Sequence, residues 1–235
     1  MTAITAAPTA TEIIADDVPP QDVAACGPVA DEATHHETSD PAASIVARLD
    51  EETVPARQAS NIAAVADATD ISLEALPGRD LDQAELLALA ASIAAKPELL
   101  QQHVAFSDDK RHYVSLHRDT HVDVWLLCWT PQNDTGWHDH DISSGAVAVT
   151  QGCLTEHNLA IGTPSIETEI HAGSAYSFGP DHIHRLTGRD AGSVSVHAYS
   201  PPLWRMGQYT LGTGGVLRRK SVSYADELRP LDDMA

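Results

Sequence analysis

Gly136-Trp137-His138-Asp139-His140 sets two imidazoles two residues apart in a stretch that reads as β-strand. Side chains at i and i+2 of a strand share a face. His138 and His140 can therefore converge on one metal ion while Asp139 turns the other way. A third histidine, His184, follows 44 residues after His140, just past the Gly179-Pro180 turn. Hairpins and a returning strand in a small barrel would bring it back to the first pair. A lone strand histidine is more often a satisfied core or surface residue than a ligand. An H-x-H pair ahead of Gly-rich turns is a stronger signal. His182, two residues before His184, is the rival third ligand if the turn register shifts. Imidazole suits zinc as well as iron, so ligand type does not choose the metal.

A second constellation lies near the end of the pattern. Ser195, His197 and Tyr199 stand at i, i+2 and i+4, so in a strand all three share a face and can be hydrogen-bonded in a row. A phenol aimed at a metal site could donate to a substrate oxygen, with the neighbouring imidazole fixing its orientation and acidity. The plainer reading is a polar stripe on an exposed strand face. His103, His112, His117, His121, His157 and His171 read as surface residues. There is no Gly-rich phosphate loop, no CxxC and no nucleophile elbow.

The elements that must position these residues are legible from periodicity. Residues 61–105 read as helical: Asp82-Gln83-Ala84-Glu85 matches a capping box, and Leu86, Leu87, Leu89, Ala90, Ile93 and Ala94 follow at helical spacing. Pro97 ends that helix or opens a short one through Leu99-Leu100. From about His112 the period becomes two. Val122, Val124, Leu126 and Cys128 take one face of a strand, and Trp125, Leu127 and Trp129 the other. Further strands are expected at Gly145–Thr150, Leu154–Leu159, Ser165–Ile170, Ala175–Phe178 and Ser193–Tyr199, separated by Gly and Pro turns. Short strands at this spacing argue for an antiparallel sandwich or barrel.

Residues 1–60 hold eleven Asp/Glu against two Lys/Arg and no aromatic residue. Such a segment buries too little apolar surface to offset its ordering entropy and reads as a mostly disordered acidic tail, with a short helix around Ile45–Leu49. All four Trp, all five Tyr and both Phe come after residue 100, so the core lies there. The expected organisation is tail 1–60, helical segment 61–110, barrel 111–215 and C-terminal extension 216–235. A formal charge of −20 argues against nucleic acid and anionic membranes as partners. No signal peptide and no apolar run of membrane-spanning length are evident. Cys26, Cys128 and Cys153 are too few and too scattered for a disulfide framework, so a cytoplasmic, reducing location is expected.

The histidine pattern resembles the cupin family, whose first motif reads H-x-H, a short spacer, usually Glu, and a later Gly. Here His138 and His140 are followed by Gly145 and Gly152, so a glycine stands where most cupins carry a carboxylate ligand. Gly173, Gly179-Pro180 and His184 resemble the second motif. More narrowly, Cys128-Trp129, His138-Asp139-His140, Ile183-His184-Arg185 and the run Ser195 to Pro202 resemble cysteine dioxygenase, a thiol dioxygenase among the cupins, over residues 80–210. The resemblance implies a mainly β cupin barrel with a helical segment before it. It implies Fe(II) on His138, His140 and His184, with Ser195, His197 and Tyr199 as the catalytic row. Both atoms of dioxygen would be added to a thiol sulfur, L-cysteine to cysteine sulfinic acid being the leading reaction. The partners implied are a small thiol and O2, with no protein partner. Family members hold the substrate carboxylate with an early-strand Arg. Tyr113 or His112 falls near that place with Arg111 and Arg118 close by, Arg111 reaching in if the register shifts by a residue or two, and Arg205 is a further candidate. Animal members link a Cys at the Gly145 position to the active-site Tyr, whereas bacterial-type members commonly have Gly there, and Tyr199 cannot form that link here. The alternatives are a dioxygenase for another thiol, such as 3-mercaptopropionate or cysteamine, a zinc isomerase-type or ligand-sensing cupin, and a barrel whose histidines bind nothing.

Overall fold

Val124, Leu126 and Cys128 pack beneath a helix, whereas Trp129 turns into a separate cluster with Trp125 and Leu127 against it. This alternation, repeated strand by strand, generates the architecture. In the computed structural model, residues 58–159, 164–212 and 216–223 are described. In chain order the strands are β1 (Ser60–Asn61), β2 (His112–Arg118), β3 (Asp123–Trp129), β4 (Trp137–Asp139), β5 (Ser144–Gln151), β6 (Cys153–Asn158), β7 (Ile166–His171), β8 (Ser174–Phe178), β9 (His184–Gly188), β10 (Ser193–Ser200), β11 (Arg205–Leu211) and β12 (Leu217–Ser223). The helices are α1 (Ile62–Asp67), α2 (Gln83–Ala94) and α3 (Pro97–Leu100). One six-stranded sheet runs β1-β8-β5-β10-β3-β2 and the other β12-β11-β4-β9-β6-β7, with every pairing antiparallel. This is the cupin barrel, mainly β, with a helical layer on one sheet.

The faces of the first sheet divide by side-chain size. Ala146 and Ala148 of β5, Ala175 of β8 and Ala198 of β10 are buried toward α2, which answers with Leu86, Leu89, Ala90 and Ala91. Small residues on both surfaces let the helix sit close, and burying each leucine contributes about 1.5–3 kcal/mol. The opposite faces carry Val147 and Val149 from β5 and Ser195, His197 and Tyr199 from β10. The polar row of β10 therefore points into the barrel, buried throughout, and the exposed-stripe reading is set aside.

The capping box forms as its sequence requires. The Asp82 carboxylate accepts from the Glu85 amide at 2.9 Å, and Glu85 accepts from the Asp82 amide at 3.0 Å. Pro97 opens α3, where its missing N–H costs nothing. The helical expectation for 61–105 needs correction between α1 and α2, where residues 68–82 form turns and extended chain. Pro77 and Gly78, the latter at φ +68°, cannot continue a helix there. The strands β11 and β12 were not apparent from periodicity. Along β12 five exposed residues precede the buried Val222, so no alternation marks this edge strand. Sheet pairing thus continues beyond residue 215, into the segment expected to be an extension. The acidic tail through residue 57, the short helix at Ile45–Leu49, and residues 224–235 lie outside the described residues. No helix among the described residues is long and apolar enough to cross a membrane.

Candidate metal centre

Strand pairing does what the sequence left open. His138 of β4 and His184 of β9 are register partners, which sets their side chains on the same face of the second sheet. His140 follows β4 by one residue and turns to the same side. The three rings lie with centroids 4.6–5.1 Å apart, and one ring nitrogen from each gathers within 4.8 Å of the others. All three are buried. Asp139 points away, as alternation demands. Its carboxylate accepts from Arg219 at 2.6 and 2.8 Å, Tyr209 at 2.6 Å and the Gly207 amide at 2.9 Å. Burial opposes its charge, but these donors hold the Asp139 carboxyl well below the usual carboxylate range. The ligand segment is thereby tied to β11 and β12.

Hydrogen bonds fix the ring tautomers. His138 Nδ1 lies 3.1 Å from the Gly136 carbonyl, which can only accept, so Nδ1 carries the proton and Nε2 the lone pair. His184 Nδ1 lies 2.9 Å from the Glu156 carboxylate, with the same consequence. Among the described residues neither nitrogen of His140 has a hydrogen-bond partner, although the residue is wholly buried. An orphaned buried polar group costs about 1–3 kcal/mol, and a metal ion at the centre would satisfy one of these two nitrogens. Burial drives the basicity of His138 and His140 well below the ordinary imidazole value, and the neighbouring imidazoles add to it. Neutral, lone-pair-bearing, converging imidazoles are the donor set that a divalent metal requires.

Gly145 brings no carboxylate to the centre, and something else fills the space beside it. A Cβ built there would lie 2.6 Å from Phe178 Cε2 and 3.1 Å from Tyr199 Cδ1. The Phe178 ring packs at 4.7 Å from His140 and 5.1 Å from His184. The volume of the absent side chain is occupied by a phenyl ring.

Beside the histidines runs the row on β10. Trp129 Nε1 donates to Ser195 Oγ at 2.8 Å, Ser195 Oγ lies 2.8 Å from His197 Nε2, and His197 Nδ1 lies 3.2 Å from the Tyr199 hydroxyl. Burial, reinforced by the charge of Arg111, lowers His197 to about 3, so the ring is neutral with one donor and one acceptor nitrogen. Ser195 already accepts from Trp129 and must place its own proton. Donating to His197 Nε2 does so, which puts the imidazole proton on Nδ1, donating to Tyr199. The phenol proton is then directed away from His197. Tyr199 also stacks on His140, with ring centroids 5.3 Å apart.

His138, His184, His197 and Tyr199 open on a cavity of about 60 Å³ lined also by Arg111, Tyr113, Trp125, Leu127, Leu203 and Met206. A single water needs at least about 10–15 Å³ of such space, so the cavity admits a few waters, the scale of a small ligand. The Arg111 guanidinium sits 4.7 Å over the Trp129 ring, and Tyr113 packs on Trp125. Both early-strand candidates thus reach the cavity. Arg205 does not: it is exposed on β11 with its guanidinium 3.9 Å from Asp141, because alternation gives the inward place to Met206. Trp204 is also exposed, stacked on Arg118. The rival ligand His182 turns to Glu156 at 2.9 Å and stays outside the three-histidine cluster. Glu156 was missed by sequence reading. Its signal was present: an acidic residue at the inward-facing position between Leu154 and Asn158 of an expected strand.

A cupin barrel with three converging buried histidines beside a small cavity defines a metal-binding cupin. The sequence model of the family described as cysteine dioxygenase type I matches residues 54–211, and the chain belongs to that family. No curated protein matches it. Among solved structures, it is similar to an uncharacterized conserved protein with a double-stranded beta-helix domain from Klebsiella pneumoniae (15% identity, TM-score 0.39, 51% of this chain and 92% of that one). TT1209 from Thermus thermophilus gives 12% identity and a TM-score of 0.38, over 43% of this chain and 93% of its own. KdgF from Halomonas sp. gives 13% and 0.37, over 43% and 91%.

Proposed function

We propose that this protein is a non-haem Fe(II) thiol dioxygenase, with L-cysteine as its substrate and cysteine sulfinic acid as the product. The observation that carries this reading is the meeting of His138, His184, His197, Tyr199 and Arg111 around one small cavity, with His140 gathered onto the same two histidines and Ser195 bonded behind His197. The overall change is R–SH + O2 → R–SO2H, in which both oxygen atoms end on sulfur. Ferrous iron held by the three imidazoles would supply open positions for a thiolate and for dioxygen, and the redox chemistry that joins them.

Each further role belongs to the chain. Arg111, braced on the Trp129 ring, offers a forked donor to the substrate carboxylate. It favours carboxylate-bearing thiols, cysteine and 3-mercaptopropionate, over cysteamine. Tyr199, receiving a hydrogen bond from His197, keeps its own proton to donate to a substrate oxygen beside the histidines. Trp125, Leu127, Leu203 and Met206 narrow the cavity and limit water. A cytosolic location belongs to the same proposal and rests on Cys128 and Cys153 being buried free thiols.

The test is dioxygen uptake by iron-loaded protein across a panel of L-cysteine, 3-mercaptopropionate and cysteamine, with products identified by mass. L-cysteine should give stoichiometric sulfinate. Arg111→Ala should raise KM for carboxylate thiols far more than it lowers kcat, and Tyr199→Phe should chiefly lower kcat. Tight zinc with no uptake for any thiol would replace this reading with a non-redox cupin. Preference for another thiol would move the substrate and keep the reaction.

A further inference from the structure

The three imidazoles bring no negative charge, and Gly145 removes the carboxylate that would have supplied it. A carboxylate is nevertheless present one residue layer behind the ligands. Glu156 lies on β6, where Asn158 pairs in register with His184 and Glu156 with Leu186, placing Glu156 diagonally across from His184. It is wholly buried. One of its oxygens lies 2.9 Å from His184 Nδ1 and 2.9 Å from His182 Nε2, and Asn158 Nδ2 approaches the other at 3.3 Å. The His182 and His184 rings pack at 4.6 Å.

We propose that Glu156 is a positioning residue of the metal centre, fixing the tautomer and angle of His184 and lending the histidine set the anionic character that Gly145 withholds. The inference rests on His138, His140 and His184 being the metal ligands. Ionised carboxylates are buried only where donors repay their lost hydration. Glu156 sits among three such donors, and the nearest to the metal centre is the ring whose other nitrogen faces His138 and His140. A carboxylate on the far nitrogen of a ligating histidine raises its basicity and holds its plane. His182 then has a use that its exclusion from the cluster left unexplained: it is the second donor that keeps Glu156 in place.

The same three residues also gather donor atoms within 4.8 Å, so a cation between them is the competing arrangement. His184 Nδ1 cannot both donate a proton to Glu156 and ligate an ion there. Metal stoichiometry separates the two.

The experiment uses the full chain, stripped of metal, titrated with Co(II) and Zn(II) against a chromophoric chelator. Glu156→Gln keeps the shape and removes the charge. It should weaken metal binding about 10–100-fold and shift the Co(II) visible bands, at one ion per chain. His184→Ala is the control for the underlying site. If His184→Ala binds metal as the wild type does, the three-histidine reading fails. If His184→Ala abolishes binding while Glu156→Gln binds within twofold of wild type, the role given to Glu156 fails by itself. Two ions per chain, with the second lost in Glu156→Gln, would overturn it in favour of the cation site. Should Glu156→Gln not fold, the imidazole ¹⁵N shifts of the metal-free wild type still decide. His184 protonated on Nδ1 is the expected result, and protonation on Nε2 overturns the proposal.

Discussion

A side chain added at Gly145 has nowhere to go, and the cost can be worked from its surroundings. The Cβ of alanine would lie 2.6 Å from Phe178 Cε2, closer still to Cζ, and 3.1 Å from Tyr199 Cδ1. Phe178 cannot swing aside, because His140 at 4.7 Å, His182 at 5.1 Å and His184 at 5.1 Å surround its ring. Gly145→Ala should therefore destabilise the metal-free protein by about 1–3 kcal/mol through overpacking, and Gly145→Cys by at least as much. Phe178→Ala, which empties the space, should cost about 3–5 kcal/mol. The double variant should be more stable than the sum of the two losses by roughly the overpacking cost, since the inserted methyl then meets a void. Urea unfolding of the four proteins completes the cycle. Additivity within about 0.3–0.5 kcal/mol would refute the claim that Phe178 fills the Gly145 volume.

Two further outcomes are expected. Asp139→Asn removes the charge that Arg219 and Tyr209 converge on, so it should cost about 1–3 kcal/mol, toward the low end because Arg219 is one-third exposed. Metal affinity should fall with it, because His138 and His140 flank the loosened residue, and unchanged chelator competition would contradict that coupling. The buried imidazoles also set a pH dependence. His197 titrates near 6.5 in the unfolded chain but only at about 3 in the folded one. Below pH 6.5 the unfolded chain gains a proton that the folded ring refuses, so this contribution to stability is undiminished above 6.5 and falls as pH falls toward 3. The slope is up to about 1.4 kcal/mol per pH unit for each such ring, and His138 and His140 act in the same sense in metal-free protein. A urea midpoint that stays level from pH 7 to 5, values chosen at about the imidazole range, would contradict this.

Much of the site could be read from the chain because strand geometry is nearly rigid. Period two alone places His138 beside His140, turns Asp139 away, and lines up Ser195, His197 and Tyr199. The same period separated the helix-facing Val124, Leu126 and Cys128 from the inward-facing Trp125, Leu127 and Trp129. The capping box at Asp82 and the stop at Pro97 are equally local and equally legible. Where no local period exists, the sequence carries no such signal. The exposed β12 has no alternation to detect, and Arg205 could be assigned to the cavity only by ignoring that Met206 takes the inward place.

Tertiary structure decided what depends on which strands meet. Only the register of β4 against β9 chooses His184 over His182, since the two lie two residues apart on one short stretch and period two alone does not separate them. Only the pairing of β6 with β9 sets Glu156 behind that histidine. The chain announces Gly145 as a missing ligand; packing reveals Phe178 in its place, from a strand 33 residues later that touches it through sheet pairing. Side-chain types and local spacing supplied the donor atoms. Their convergence, orientation and surroundings came from strand registers, because hydrogen-bonded sheets join residues that no local pattern can relate.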